Sequence, residues 1–213
     1  MEKELLSAGL EFIREIFAND YSGHDYYHSV RVFNMATTLC KAEDANLEIV
    51  QMAALLHDVD DYKLFGGQGL YPNATRFIQE HGLSEESMER ICNIISSISY
   101  KGTDTLIPDT LEGRIVQDAD RLDAIGAIGI ARVFAYGGSK NRSIYDPEDK
   151  PKEEMDFEAY KNNNGSSINH FYEKLLLLKD LMNTEAGRKM AENRHLYMKG
   201  YLEEFYAEWD GIH

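Results

Sequence analysis

Residues 47–58 read Leu47-Glu-Ile-Val-Gln-Met-Ala-Ala-Leu-Leu-His-Asp58, an apolar run that ends on an imidazole and a carboxylate. Ile49, Val50, Ala53, Ala54 and Leu56 recur at the three- and four-residue spacing of a helix face. The stretch therefore predicts a helix that carries His57 and Asp58 at its end. The same period extends outward in both directions. A first helix carries Leu5, Leu6, Phe12, Ile13, Ile16 and Phe17 and stops within 19–23, and a second covers 24–41 with Val30, Phe33, Thr37 and Cys40 inward. Gly66, Gly67 and Gly69 read as a loop, 74–81 as helix, and Gly82 as the left-handed residue after it. Ser84 is a good cap for a helix over 85–99, with Glu85 and Glu86 where the dipole favours acids. Leu111, Ile115, Ala119 and Leu122 follow at helical spacing, and apolar 124–135 continues inward with Gly126 and Gly129 allowing close contact or a break. Ser167 is placed to cap a helix through Asn183, and 184–209 form a long closing helix with Met190, Leu196, Tyr197, Tyr201, Phe205 and Trp209 as its buried side. With four prolines and no sustained period-two run, the fold class is all-α.

The chain has 213 residues, 37 acids against 22 lysines and arginines, and a formal charge of -15. That balance argues against a nucleic-acid partner, which needs a basic face to neutralise phosphates. The length suits a single domain over 1–213, with a core at about 24–126, a polar segment at 139–165 and C-terminal helices at 167–209. The polar segment reads equally as a lid or as disorder. No run approaches ~18 apolar residues and the start lacks a secretory pattern, so the expectation is a cytoplasmic protein with no membrane partner. Cys40 and Cys92 fall in apolar helical stretches and read as small core thiols.

His28, His57-Asp58 and Asp120 stand out together, each on or near a helix with an apolar inner face. Two imidazoles and two carboxylates make a mixed nitrogen and oxygen donor set for one divalent ion, with positions left for water or substrate. Residue by residue, bland readings compete. A lone helix histidine is usually half-buried and hydrogen-bonded, and Asp118, Asp120 and Asp123 read also as a solvated acidic face.

Three extended blocks sharpen this. Gly23-His-Asp-Tyr-Tyr-His28 with Arg31, His57-Asp-Val-Asp-Asp-Tyr-Lys63 and Gln117-Asp-Ala-Asp-Arg-Leu-Asp-Ala-Ile-Gly126 resemble the HD-domain superfamily of metal-dependent phosphohydrolases, in its small bacterial branch. The tail segments Asn169-His-Phe-Tyr-Glu-Lys174 and Glu208-Trp-Asp-Gly211 are similar to the same branch. The resemblance implies an HD-type helical bundle with one divalent ion held by His28, His57, Asp58 and Asp120, the ion being Mn, Mg, Co, Ni or Fe. It also implies hydrolysis of a phosphate ester or anhydride, since similar members include nucleoside triphosphate pyrophosphohydrolases. Of the other histidines only His24 adjoins a ligand, which favours one ion over the two-metal phosphodiesterase arrangement.

Asp61, three residues after Asp58, is the candidate to orient or deprotonate the attacking water, ahead of Asp60. Arg31, Lys63 and Arg121 are the cations nearest the ligands in sequence, and His24 is a further phosphate or carboxylate partner. Lys174, Arg194 and His195 are weaker candidates, and Tyr26 and Tyr27 are candidates to stack on a base. The expected activity is hydrolysis of a small phosphate compound or nucleotide, foremost a (deoxy)nucleoside triphosphate to pyrophosphate and monophosphate. A nucleotidase, another phosphate-ester hydrolase and a non-catalytic metal-bound sensor are the alternatives. A homodimer is compatible with the sequence and not fixed by it.

Overall fold

The computed structural model describes residues 2–18, 25–61 and 71–212. His24, Lys63, the helix end expected within 19–23 and the glycines at 66, 67 and 69 lie outside the described residues. Two compact units are formed, Met1–Tyr100 with Thr105–Asp120 and Lys101–Asp104 with Arg121–His213. The fold is all-α, and among the described residues the only bridge of strand type is an isolated one between Lys101 and Thr103. No described helix is long and apolar enough to cross a membrane.

The first unit contains α1 (Lys3–Ile16), α2 (Tyr26–Glu43), α3 (Leu47–Leu56), α4 (Pro72–Glu80), α5 (Glu85–Ile98) and most of α6 (Leu111–Asp123). Helix α3 is apolar nearly all round, and such a helix is stable only when surrounded. It packs against α1, α2 and α5, and Ile49, Val50 and every residue from Met52 to Leu56 are buried. Each fully buried Leu, Val or Met there contributes roughly 1.5–3 kcal/mol. Asn46 caps α3 by accepting from the Glu48 and Ile49 N–H groups at 3.1 and 3.2 Å, while its own N–H donates to Glu112 at 3.1 Å. One residue thus starts α3 and ties it to α6. The buried face of α2 is His28, Val32, Phe33, Ala36, Leu39 and Cys40, whereas Val30 and Thr37, expected inward, are half-buried at its margins. Gly82 takes φ +67 after α4, and Ser84 caps α5 by accepting the Ser87 N–H at 3.2 Å.

The second unit contains the end of α6, then α7 (Gly126–Ser139), α8 (Phe157–Lys161), α9 (Ser167–His170), a π-helical turn (Phe171–Leu175) and α10 (Glu185–Trp209). Gly126, at φ +75, breaks the chain between α6 and α7. The single helix expected over 167–183 is instead α9, the π turn closed by a Leu176 N–H to Phe171 carbonyl bond of 2.8 Å, and a series of turns. Its cap is Ser166, whose hydroxyl accepts the Asn169 N–H at 3.2 Å. Helix α10 packs on α7, with Phe134 of α7 6.2 Å from the expected Tyr201, and its expected face is buried only in part. Gly187, Ala191, Met198 and Leu202 are buried, while Leu196, Tyr197 and Trp209 are 64%, 60% and 50% exposed.

The polar segment 139–165 is ordered by a buried network. Asn163 donates to Glu173 at 2.6 Å, Glu173 accepts the Lys152 N–H at 3.1 Å, and Lys152 Nζ donates to the Asn163 side-chain Oδ1 at 2.9 Å. Asn169 holds Asp149 through two bonds of 3.0 Å. Asn163, Asn169 and Glu173 are all buried, which such groups tolerate when their hydrogen bonds are made within the protein.

Candidate metal centre and active site

Three helices of the first unit deliver the site. Asp25 caps α2, accepting the His28 N–H at 2.7 Å, and this fixes the imidazole within the first turn. Helix α3 ends at Leu56 with His57 as its C-terminal cap, two residues short of the expected end at Asp58. The backbone then tightens into i→i+3 bonds, Val59 N–H to Leu56 at 3.3 Å and Asp61 N–H to Asp58 at 3.1 Å. Helix α6 supplies Asp120.

The four side chains converge. His28 and His57 turn their Nε2 atoms to 3.1 Å of each other, with the rings edge to face at 71°. Asp58 Oδ2 lies 3.3 Å from both nitrogens, and Asp120 Oδ1 lies 3.4 Å from His28 and 3.9 Å from His57. His57 Nδ1 donates to the Ala54 carbonyl at 2.8 Å, which leaves the Nε2 lone pair facing the cluster. Metal–ligand bonds of about 2.0–2.2 Å separate neighbouring donors by roughly 3–3.5 Å. The donor set fits one divalent ion in both chemistry and spacing. His28 is fully buried and Asp58 nearly so, a placement that requires partners or a counter-charge.

Charge couples the group. Burial pushes the His57 pKa down, but the Asp58 carboxylate, through its charge and a hydrogen bond, together with Asp120 outweighs burial and the repulsion of His28, so the net shift is upward. Burial pushes Asp120 up, but the His28 hydrogen bond and the two imidazoles hold it well below the usual carboxylate range.

Asp61 is half-buried and stands one tight turn after Asp58, where side chains three apart lie on the same side. Arg31 is half-buried one turn after His28. Arg121 does not reach a solvent-facing position. Successive helix residues point about 100° apart, so it leaves the Asp120 direction, is only 4% exposed and donates to the Leu181 carbonyl within the second unit. The acids around it are not a solvated face either, since Asp118 is fully buried and Asp123 is buried and paired with Arg132 at 2.8 Å. Arg194 donates to the Leu122 carbonyl, Lys174 lies 5.6 Å over the Tyr160 ring, and burial with nearby Lys179 and Lys199 pushes the His195 pKa down. Tyr26 accepts from Arg14 at 3.1 Å, and Tyr27 is 67% exposed.

Asp60 has a structural task that the sequence alone did not reveal. Its carboxylate accepts the Asn73 N–H at 3.0 Å and the Ala74 N–H at 2.9 Å, and Asn73 returns a side-chain bond to the Val59 carbonyl at 2.9 Å. Helix α4 opens on Pro72, which has no N–H, and its N-cap Tyr71 offers no side-chain acceptor. Asp60 is thus a remote N-cap. The available signal was that unmet demand, a proline-led helix without its own Ser, Thr, Asp or Asn.

Residues 25–125 match the HD domain family model. The YpgQ protein of Bacillus subtilis is 36% identical over 208 residues, covering 94% of this chain and 92% of that one. A crystal structure of a Lactobacillus plantarum protein superposes with a TM-score of 0.84 at 38% identity and 99% coverage of both chains. An HD-superfamily hydrolase from Bacillus thuringiensis gives 0.76 at 43% identity, covering 99% of this chain and 100% of that one. YpgQ itself has been crystallised in complex with ADP, and that structure gives 0.75 at 34% identity, covering 96% and 100% of the two chains.

Proposed function

The chain belongs to the HD-domain superfamily of metal-dependent phosphohydrolases, and from that premise we propose that it converts (deoxy)nucleoside triphosphates and water into monophosphates and pyrophosphate. The observation that carries this reading is the convergence of His28 and His57 at 3.1 Å with Asp58 and Asp120 around them. The ADP held by YpgQ supports a nucleotide as the ligand class.

A divalent ion bound by His28, His57, Asp58 and Asp120 supplies an acidified water, a polarised phosphoryl oxygen and positive charge against the charge that develops during hydrolysis. The Ala54 carbonyl holds His57 in the tautomer that turns Nε2 inward. Asp61 takes the proton of the attacking water and directs it at the α-phosphorus. The bond from that phosphorus to the bridging oxygen breaks, and pyrophosphate departs. Arg31 and Lys63 hold the outer phosphates, and His24 donates to a phosphate or a ligand carboxylate. In a chain of net charge -15 these cations act locally, because the long-range field repels a polyanion.

The test is product chromatography after incubation of the eight common ribo- and deoxyribonucleoside triphosphates with Mn, Mg, Co, Ni or Fe. Monophosphate with pyrophosphate is the expected outcome. Diphosphate with inorganic phosphate moves the attack to the γ-position, hydrolysed monophosphates make the protein a nucleotidase, and a stoichiometric ion without turnover makes it a sensor.

A further inference from the structure

The second unit contains a cavity of about 420 Å³ between α7, α9, α10 and the loop after α7, lined by Phe134, Gly138, Arg142, Ile144, Ser167, Tyr201 and Phe205. That volume lies within the range of small-molecule sites. Three aromatic rings form its walls, with Phe134 and Tyr201 at 6.2 Å and 63°, and Tyr201 and Phe205 at 6.2 Å and 37°.

Two polar residues interrupt this apolar lining. Ser167 is 3% exposed and lines the cavity at the start of α9. Arg142 is oriented by a bond from Nη2 to the Asn163 carbonyl at 2.6 Å and by its position 5.6 Å from the Tyr136 ring, yet its buried Nε has no acceptor and no described carboxylate pairs with it. A guanidinium without a counter-charge, in a chain of net charge -15, is a local attractor for an anion.

Gly138 keeps the space open. Its φ is not in the left-handed region, and a Cβ placed on it meets nothing within 4 Å. Glycine at a helical position is less stable than alanine, and here neither backbone conformation nor a close contact requires it. We propose that this cavity is a binding site for a small aromatic anion, its rings stacked among Phe134, Tyr201 and Phe205 and its charge held by Arg142 and the Ser167 hydroxyl. All seven lining residues belong to the second unit, so the site is separate from the metal ligands, which belong to the first.

The probe is 8-anilinonaphthalene-1-sulfonate, titrated into the full chain by fluorescence and calorimetry, with uncharged N-phenyl-1-naphthylamine as its comparison. The expected result is one sulfonate per chain, held at least about ten-fold more tightly than the neutral amine, as a charge-assisted contact provides. Arg142→Met is expected to erase that preference while the neutral amine still binds. Gly138→Leu is expected to weaken both dyes about ten-fold or more by filling the space, with circular dichroism unchanged. If Gly138→Leu fails to fold, Ser167→Ala and Arg142→Met carry the test through the charge preference. Equal affinities for wild type and Arg142→Met, several equivalent sulfonates per chain, or no binding would each overturn the proposal.

Discussion

Replacing Asp60 with alanine isolates the clasp that joins the His57-Asp58 turn to α4. The Ala74 N–H is buried, so losing its 2.9 Å bond leaves a donor that water does not reach. Such an orphan costs about 1–3 kcal/mol. Asn73 is half-buried, and loss of its 3.0 Å bond resembles loss of an exposed cap, about 1 kcal/mol. The two add to roughly 2–4 kcal/mol for Asp60→Ala, and about half of that for Asp60→Asn, which keeps one acceptor oxygen. Urea unfolding followed by circular dichroism measures the sum. Amide exchange at Ala74 measures the local part, where about 1–3 kcal/mol corresponds to a roughly 5- to 150-fold loss of protection. A change below about 0.5 kcal/mol for Asp60→Ala, with Ala74 still protected, would refute the clasp as a stabilising element.

His57→Ala and Asp58→Ala are each expected to abolish occupancy by a divalent ion, measured by elemental analysis after equilibration, with helical content retained; a full complement of ion in either variant would remove that residue from the donor set. Asp61→Asn is expected to keep the ion and lose about 10²- to 10⁴-fold in single-turnover rate, whereas a rate equal to wild type rules out the proton-accepting role. The raised pKa of His57 sets opposite pH trends for the two forms of the protein. In metal-free protein its stabilising contribution is full below the unfolded value of about 6.5 and is lost as pH rises through the raised folded value. Ion binding needs the neutral imidazole, so apparent affinity rises over the same window. The gap in Tm between metal-saturated and metal-free protein should therefore widen from pH 6 to 8, and a constant gap contradicts the coupling.

How much of this could be read in advance depended on whether the cause was local. Residues 47–58 were legible because a helix apolar on every side has to be surrounded, and a histidine and an aspartate at its end need partners. His28 and Asp120 stood out beside them as donor types on apolar-faced helices, and the resemblance sharpened the grouping, since no spacing rule relates positions so far apart in sequence. Arg121 looked suitable because it adjoins Asp120, but one step along a helix turned it toward the Leu181 carbonyl. On α10 the expected stripe is only partly the packed one: Tyr201 and Phe205 are half-buried beside Phe134 of α7, whereas Leu196, Tyr197 and Trp209 are exposed and Gly187, Ala191, Met198 and Leu202 are buried, a choice that depends on the neighbouring elements. The π turn at Phe171–Leu175 and the network of Asn163 with Glu173 have no local signature, because both depend on what the segment packs against. Composition left 139–165 open between a lid and disorder for the same reason.

The pairing of residues 59 and 60 with 73 and 74 has a further consequence for how such a chain can vary. Its hydrogen bonds hold residues 59 and 60 beside 73 and 74, so the end of the His57-Asp58 turn is fixed by groups on either side of the intervening chain. Loop-closure entropy grows slowly, by about 0.6 kcal/mol for each doubling of length. A change of length between residues 61 and 71 is therefore expected to cost little while the clasp keeps its bonds. A chimera exchanging only that stretch between two HD hydrolases should bind its ion as the parent does.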